Sequence, residues 1–149
     1  MKTPPAPAFA NTLPILLLRA REALLEPTRS VLRRHGLTEQ QYRVLRTLST
    51  VEEMETTQLA RAVCLRPPSV SRILRDLERT GRVARRGGSA DQRVILVSLE
   101  PAGRELIAQV LPAAAAIGAR VGELYGRERL ERLRALLLEL EAVLADGRF

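Results

Sequence analysis

The sequence predicts a mainly α-helical chain that carries one small β-hairpin. Three observations predict it. Apolar residues recur at helical spacing through most of the chain, their period drops from 3.6 to 2 just after Gly81, and arginines gather around that change. With 149 residues and 46% hydrophobic content the chain can bury a core, and its 3% aromatics leave leucine, valine and alanine to fill it.

Residues 1–11, rich in proline and alanine, read as a flexible or docked arm. Leu13, Leu17, Ala20, Leu24 and Val31 mark a first helix to about Arg34, with a kink expected at Pro27 and a stop at Gly36. Thr38 followed by Gln41 is a capping box that opens a second helix through Leu45 and Leu48. Glu52, Glu53 and Glu55 read as a polar loop, after which Thr56 or Thr57 caps a short helix through Leu59, Ala60 and Val63. Cys64 to Pro67 makes a turn, and Pro68 suits the first position of a helix that runs to about Thr80 and stops at Gly81. Val83 to Arg85 is a short strand, Gly87 to Asp91 a turn, and Val94 to Leu99 the returning strand. Pro101 then opens a long helix to roughly Gly122, with a bend expected at Pro112. In the last helix, 127–145, Leu130, Leu133, Leu137, Leu140 and Leu144 alternate steps of three and four, which is a heptad seam.

Helix–turn–helix followed by a hairpin is a winged helix-turn-helix, expected over 37–100. It is flanked by an arm and dimerisation helix in 1–36 and by C-terminal dimerisation helices in 101–149, and the seam asks for a partner helix, so a homodimer is expected.

The net charge is +7, and all the basic residues except Lys2 are arginines. From Arg61 to Arg93 there are nine arginines against Asp76, Glu78 and Asp91, a surplus that nearly equals that of the whole chain. On the helix after Pro68, Val70, Leu74 and Leu77 share one face with Ile73 beside them, which turns Ser69, Ser71, Arg72, Arg75 and Arg79 outward. Serine and arginine on such a face suit base edges and phosphates in a major groove. Arg85, Arg86 and Arg93 surround the glycine-rich hairpin tip, where an arginine can enter a minor groove. Asp91, two residues before Arg93, suits either a wing salt bridge that aims an arginine or an ordinary turn aspartate.

The run from Ser69 through Gly81, followed by Val83, Arg85 and Asp91-Gln92-Arg93, resembles the multiple-antibiotic-resistance regulator (MarR) family. Leu37 through Arg46 and Cys64 through Ser69 look most like its homoprotocatechuate-degradation operon regulators. The resemblance implies a homodimeric repressor on the double-stranded DNA of a pseudo-palindromic operator, with Arg93 in the minor groove, controlling an aromatic-compound catabolic operon. It also implies release by a small aromatic carboxylate effector, phenylacetate-, hydroxybenzoate- or hydroxynicotinate-like, bound between the dimerisation helices and the winged helix. Ser30, His35, Tyr42, Arg43 and Arg46 are the residues expected to take that acid, as cations and polar tips on apolar walls. His35 before Gly36 also suits a helix cap, and one of the two arginines a pair with Glu39. Glu100 stands where the family has a threonine cap, and Tyr42 where it has tryptophan.

A lone Cys64 excludes an internal disulfide; a small buried apolar role is expected for it, with an oxidant-sensing repressor acting through Cys64 as the alternative. One histidine, one cysteine and no glycine-rich phosphate loop argue against an enzyme, and no cofactor is expected. There is no unbroken apolar run of about 18 residues, so neither a membrane span nor a membrane partner is expected, and a cytoplasmic location is.

Overall fold

The computed structural model describes residues 8–88 and 94–147. A short 3-10 turn, Ala8–Asn11, precedes six helices and three strands: α1 Leu13–Arg34, α2 Glu39–Leu48, β1 Glu53–Glu55, α3 Thr56–Ala62, α4 Pro67–Arg79, β2 Val83–Gly87, β3 Ile95–Leu99, α5 Pro101–Tyr125 and α6 Arg127–Ala145. The chain forms two compact units, 1–113 and 114–149, divided inside α5 one residue beyond Pro112.

The first unit holds the core. Leu32 of α1, Val44, Leu45 and Leu48 of α2, Leu59 and Ala60 of α3, and Val70, Ile73, Leu74 and Leu77 of α4 are all buried. Val83, Val97 and Leu99 of the sheet and Ile107 and Val110 of α5 complete the cluster. Local chemistry fixes the element ends. Thr38 accepts from the Gln41 amide at 3.1 Å while the Gln41 side chain accepts from the Thr38 amide at 3.0 Å, the reciprocal cap expected at the start of α2. Pro67 and Pro68 occupy the first turn of α4, where a missing N–H costs nothing. Pro27 lies inside α1 without ending it.

The sheet is antiparallel in the order β1-β3-β2. Val83 pairs with Leu99 and Gly87 with Ile95 in the expected hairpin, but Glu53–Glu55 is a third strand and not a loop, with Met54 opposite Val97. Its single apolar residue, Met54, packs against the core between two glutamates, too short a stretch for periodicity to declare; the edge of β3 imposes the extended form. The first residue of α3 is Thr56 and its cap position is Glu55, so neither Thr56 nor Thr57 caps the helix. Thr56 Oγ1 instead donates to the Ile95 carbonyl at 3.1 Å, tying α3 to the wing.

Gly103, in the first turn of α5, is buried, and a Cβ there would stand 2.3 Å from the Arg82 carbonyl oxygen. The same oxygen accepts the Glu100 amide at 3.0 Å, so α5 starts in direct backbone contact with the link between α4 and β2. By length and composition α5 is the one helix among the described residues able to cross a membrane, with a mean hydropathy of 1.2 over its most apolar window. Gly103, Ile107 and Val110 nevertheless commit its first half to the core.

The second unit comprises the end of α5 and α6. Gly126, at φ 96°, is the single residue between Tyr125 and Arg127, a conformation that favours glycine. No residue of α6 is buried.

Candidate nucleic-acid interface and effector cleft

Helix α4 divides cleanly between core and solvent. Its four buried side chains leave Ser71, Arg72, Arg75 and Arg79 exposed and Ser69 half-buried in the first turn. Thr80 Oγ1 donates to the Leu77 carbonyl at 3.0 Å, and Gly81 at φ 65° ends the helix. None of Arg72, Arg75 and Arg79 forms an ion pair with a described residue, nor do Arg61 and Arg66 before them. These exposed guanidiniums keep their donors free of any carboxylate among the described residues.

The wing differs. Arg85 and Arg86 are neighbours on β2, so their side chains leave opposite faces of the sheet. Arg85 Nε donates to Glu78 Oε2 of α4 at 2.9 Å, and its Nη2 reaches the same oxygen. Arg86 spans the middle strand to reach β1, where its Nη2 donates to both Glu53 oxygens at 2.6 Å. The Arg85 guanidinium holds the Glu78 carboxyl below the usual carboxylate range, first through its side-chain hydrogen bond, with burial opposing. A cleft of about 220 Å³ between α3, α4 and the sheet is lined by Thr56, Thr57, Ser71, Leu74, Arg85 and Ile95 among others. Asp91 and Arg93 lie outside the described residues.

Where α1 meets α2, Glu39 gathers three guanidiniums on one carboxylate that is only 16% exposed: Arg21, Arg29 Nη2 at 3.6 Å and Arg43 Nε at 3.5 Å. Arg29 also pairs with Glu22 at 2.7 Å, which lowers the Glu22 pKa chiefly through that hydrogen bond. Arg43 Nη1 donates to the Val63 carbonyl at the end of α3, at 2.7 Å, whereas its buried Nε makes no hydrogen bond within this cluster. The five expected effector residues sit on the second half of α1, at its end, and on α2. His35 caps α1 with its Nδ1 3.0 Å from the Val31 carbonyl, Arg46 donates to Ser49 Oγ at 3.0 Å, Ser30 is half-buried on α1, and Tyr42 packs on the core. The cleft found beside them, about 190 Å³, is lined by Arg29, Leu32, Arg33, Leu37, Thr38 and Glu39. The i,i+4 pair of Arg43 with Glu39 is the one expected for one of the two arginines, whereas Arg21 and Arg29 join Glu39 from α1, up to 18 positions away, with no local signature.

Cys64 is exposed, not buried as expected. At φ 51° its backbone is in the left-handed region, which turns the side chain outward, and Val63 fills the core in its place. Among the described residues no three His, Cys, Asp or Glu side chains gather as a metal site.

The sequence pattern of the MarR family matches residues 37–95, which hold α2 through the start of β3. The homoprotocatechuate degradative operon repressor of Escherichia coli is 34% identical over 133 residues, 89% of this chain and 90% of that protein. The crystal structure of transcriptional regulator PA4135 matches with a TM-score of 0.84 at 39% identity, over 89% of this chain and 97% of that one. NadR in complex with 4-hydroxyphenylacetate matches with a TM-score of 0.80 at 32% identity, over 91% and 96%. Relatives over this much of the chain are named as regulators and repressors, and the order helix-turn-helix, wing and long flanking helices is common ground. The chain belongs to the MarR family.

Proposed function

We propose that this chain is a homodimeric, sequence-specific repressor, working in the cytoplasm and not an enzyme, that leaves a pseudo-palindromic operator when a small aromatic acid binds. The observation that carries the reading is the α4 face: Ser71, Arg72, Arg75 and Arg79 stand exposed above a buried apolar face, with no carboxylate partner among the described residues. Such a helix can enter a major groove and leave its own core untouched. Arg72→Ala should relax preference at one operator position by roughly 1–3 kcal/mol. Arg93, at the wing, would add the minor-groove contact.

The dimer would form through both chain ends, 1–36 and 101–149, around the winged helix of 37–100. Fourteen large hydrophobic side chains are exposed outside 32–110 among the described residues. Covering the exposed half of each is worth on the order of 1 kcal/mol. Over two copies that exceeds the roughly 4–15 kcal/mol that association costs.

The effector class rests on the E. coli relative, whose name refers to homoprotocatechuate, and on NadR with 4-hydroxyphenylacetate. In this chain a carboxylate would meet Arg43 or Arg46, beside Ser30, His35 and Tyr42, or Arg29 and Arg33 in the neighbouring cleft. The regulated genes would then form an aromatic-compound catabolic operon. A gel-shift titration on the gene's own upstream region, with and without phenylacetates, hydroxybenzoates and hydroxynicotinates, tests both halves. No shift at low salt would sink the repressor reading. A shift insensitive to every acid would sink the effector reading alone, and loss of the shift after mild peroxide would favour the oxidant-sensing alternative, for which the exposed Cys64 thiol is the supporting observation.

A further inference from the structure

The wing contains two arginines of a strongly basic region that are already taken. Arg85 is held by Glu78 from α4 and Arg86 by Glu53 from β1, on opposite faces of one strand. Both pairs are substantially exposed: the side chains of Arg85 and Glu78 are 32% and 38% accessible. Exposed ion pairs contribute little to stability, so keeping the wing folded is a weak reason for either carboxylate. What Glu78 does change is the charge beside the recognition helix. Arg85 lines the same cleft as Ser71, so its guanidinium would stand next to the groove-facing surface of α4 if it were free.

We infer that Glu78 is a specificity-determining residue: it sequesters Arg85 from DNA phosphates and so limits binding that does not depend on sequence. The inference rests on the DNA-binding reading above. Phosphate contacts are read by any duplex, whereas base contacts are read only by the right one. Each arginine released to the backbone adds affinity for all sequences and narrows the ratio between operator and random DNA. A carboxylate that neutralises one guanidinium at the edge of the recognition surface therefore favours discrimination over grip. Glu53 holds Arg86 on the far face of β2 and supplies an internal comparison, because removing it changes net charge equally without touching the α4 side.

The experiment measures the Kd of the full chain for a random-sequence duplex of roughly 30 bp, three helical turns, and for its own upstream region across a salt series. For Glu78→Gln the slope of log K against log salt on random duplex should steepen by about 0.9 per freed arginine, about 1.8 for two copies. A fourfold rise in salt then weakens that variant about tenfold more than the wild type. The ratio of upstream to random affinity should fall, and Glu78→Gln/Arg85→Gln should restore the wild-type slope. Glu53→Gln, which frees Arg86 on the opposite face of β2, should steepen the slope less than Glu78→Gln. An unchanged slope in Glu78→Gln, with the fold verified by circular dichroism, overturns the inference. Equal steepening in both single variants also overturns it, by reducing the effect to net charge. If Glu78→Gln does not fold, Glu78→Asp serves in its place, since the shorter side chain loosens the pair, and it should give a smaller steepening of the same sign. Failure of the wild type to bind either duplex at low salt instead defeats the DNA-binding reading itself.

Discussion

The span from Leu32 to Val110 and the two chain ends use the same leucines to opposite ends. All seventeen buried hydrophobic residues described lie within that span, and of fifteen large hydrophobics that stand exposed only Ile95 lies inside it. Helix α6 has five leucines on its seam and buries none of them, whereas α4, six residues shorter, buries four side chains. Periodicity alone does not say what an apolar stripe is for. The α4 stripe meets its own chain's core, and the α6 stripe stays unburied within this chain.

The contrast breaks most visibly on α6. Leu133→Glu with Leu137→Glu should leave the winged helix folded yet give monomers by sedimentation at micromolar concentration. Operator binding should fall by more than about 100-fold, because two linked half-sites become one. A stable dimer in this variant would place the interface elsewhere. In the other region Leu74→Ala should cost about 2–5 kcal/mol of unfolding free energy, because a fully buried leucine leaves a cavity. That loss should not depend on protein concentration.

A smaller effect is expected where α2 begins. Thr38→Ala removes one half of the reciprocal cap and should lower stability by about 1 kcal/mol in denaturant melts, while Thr38→Ser should retain most of it. Smallest is the effect of Glu22, an exposed carboxylate on α1. Its pKa lies below the ordinary 4.5, first through the hydrogen bond from Arg29, so its contribution is present above about pH 4.5 and is lost as pH falls through the lower folded value. Glu22→Gln should therefore stabilise nothing at neutral pH and flatten the acid limb of thermal melts slightly. An acid limb identical to the wild type would show the pair to be unimportant.

Much of the fold was legible because its signals are local. The Thr38–Gln41 box, Pro67-Pro68 ahead of Val70, and Gly81 after Thr80 set the helix ends within one or two residues. The switch of period after Gly81 located β2 and β3. What could not be read depends on residues far apart in the chain. Strand β1 exists because β3 offers an edge 40-odd positions later, and Arg86 finds Glu53 33 positions away. The candidate site divides in the same way. The outward residues of α4 and the Arg43–Glu39 pair follow from helical spacing, whereas the arrival of Arg21 and Arg29 at Glu39 and the guanidiniums spoken for on the wing appear only once elements are assembled. Cys64 was misjudged because a positive φ at a residue other than glycine has no compositional cue.

The missing side chain at Gly103 has a mechanical consequence. With its backbone against the Arg82 carbonyl and the Glu100 amide bonded to the same oxygen, the start of α5 has no soft padding between itself and the end of α4. Arg82 is tied in turn to Leu77 by its own amide at 2.9 Å. A torque applied to the first turn of α5 thus reaches the recognition helix as it would through a welded bracket, with little lost to side-chain rearrangement. Compliance has to come from elsewhere along the lever, and even a methyl group at position 103 would act as a wedge that changes its angle.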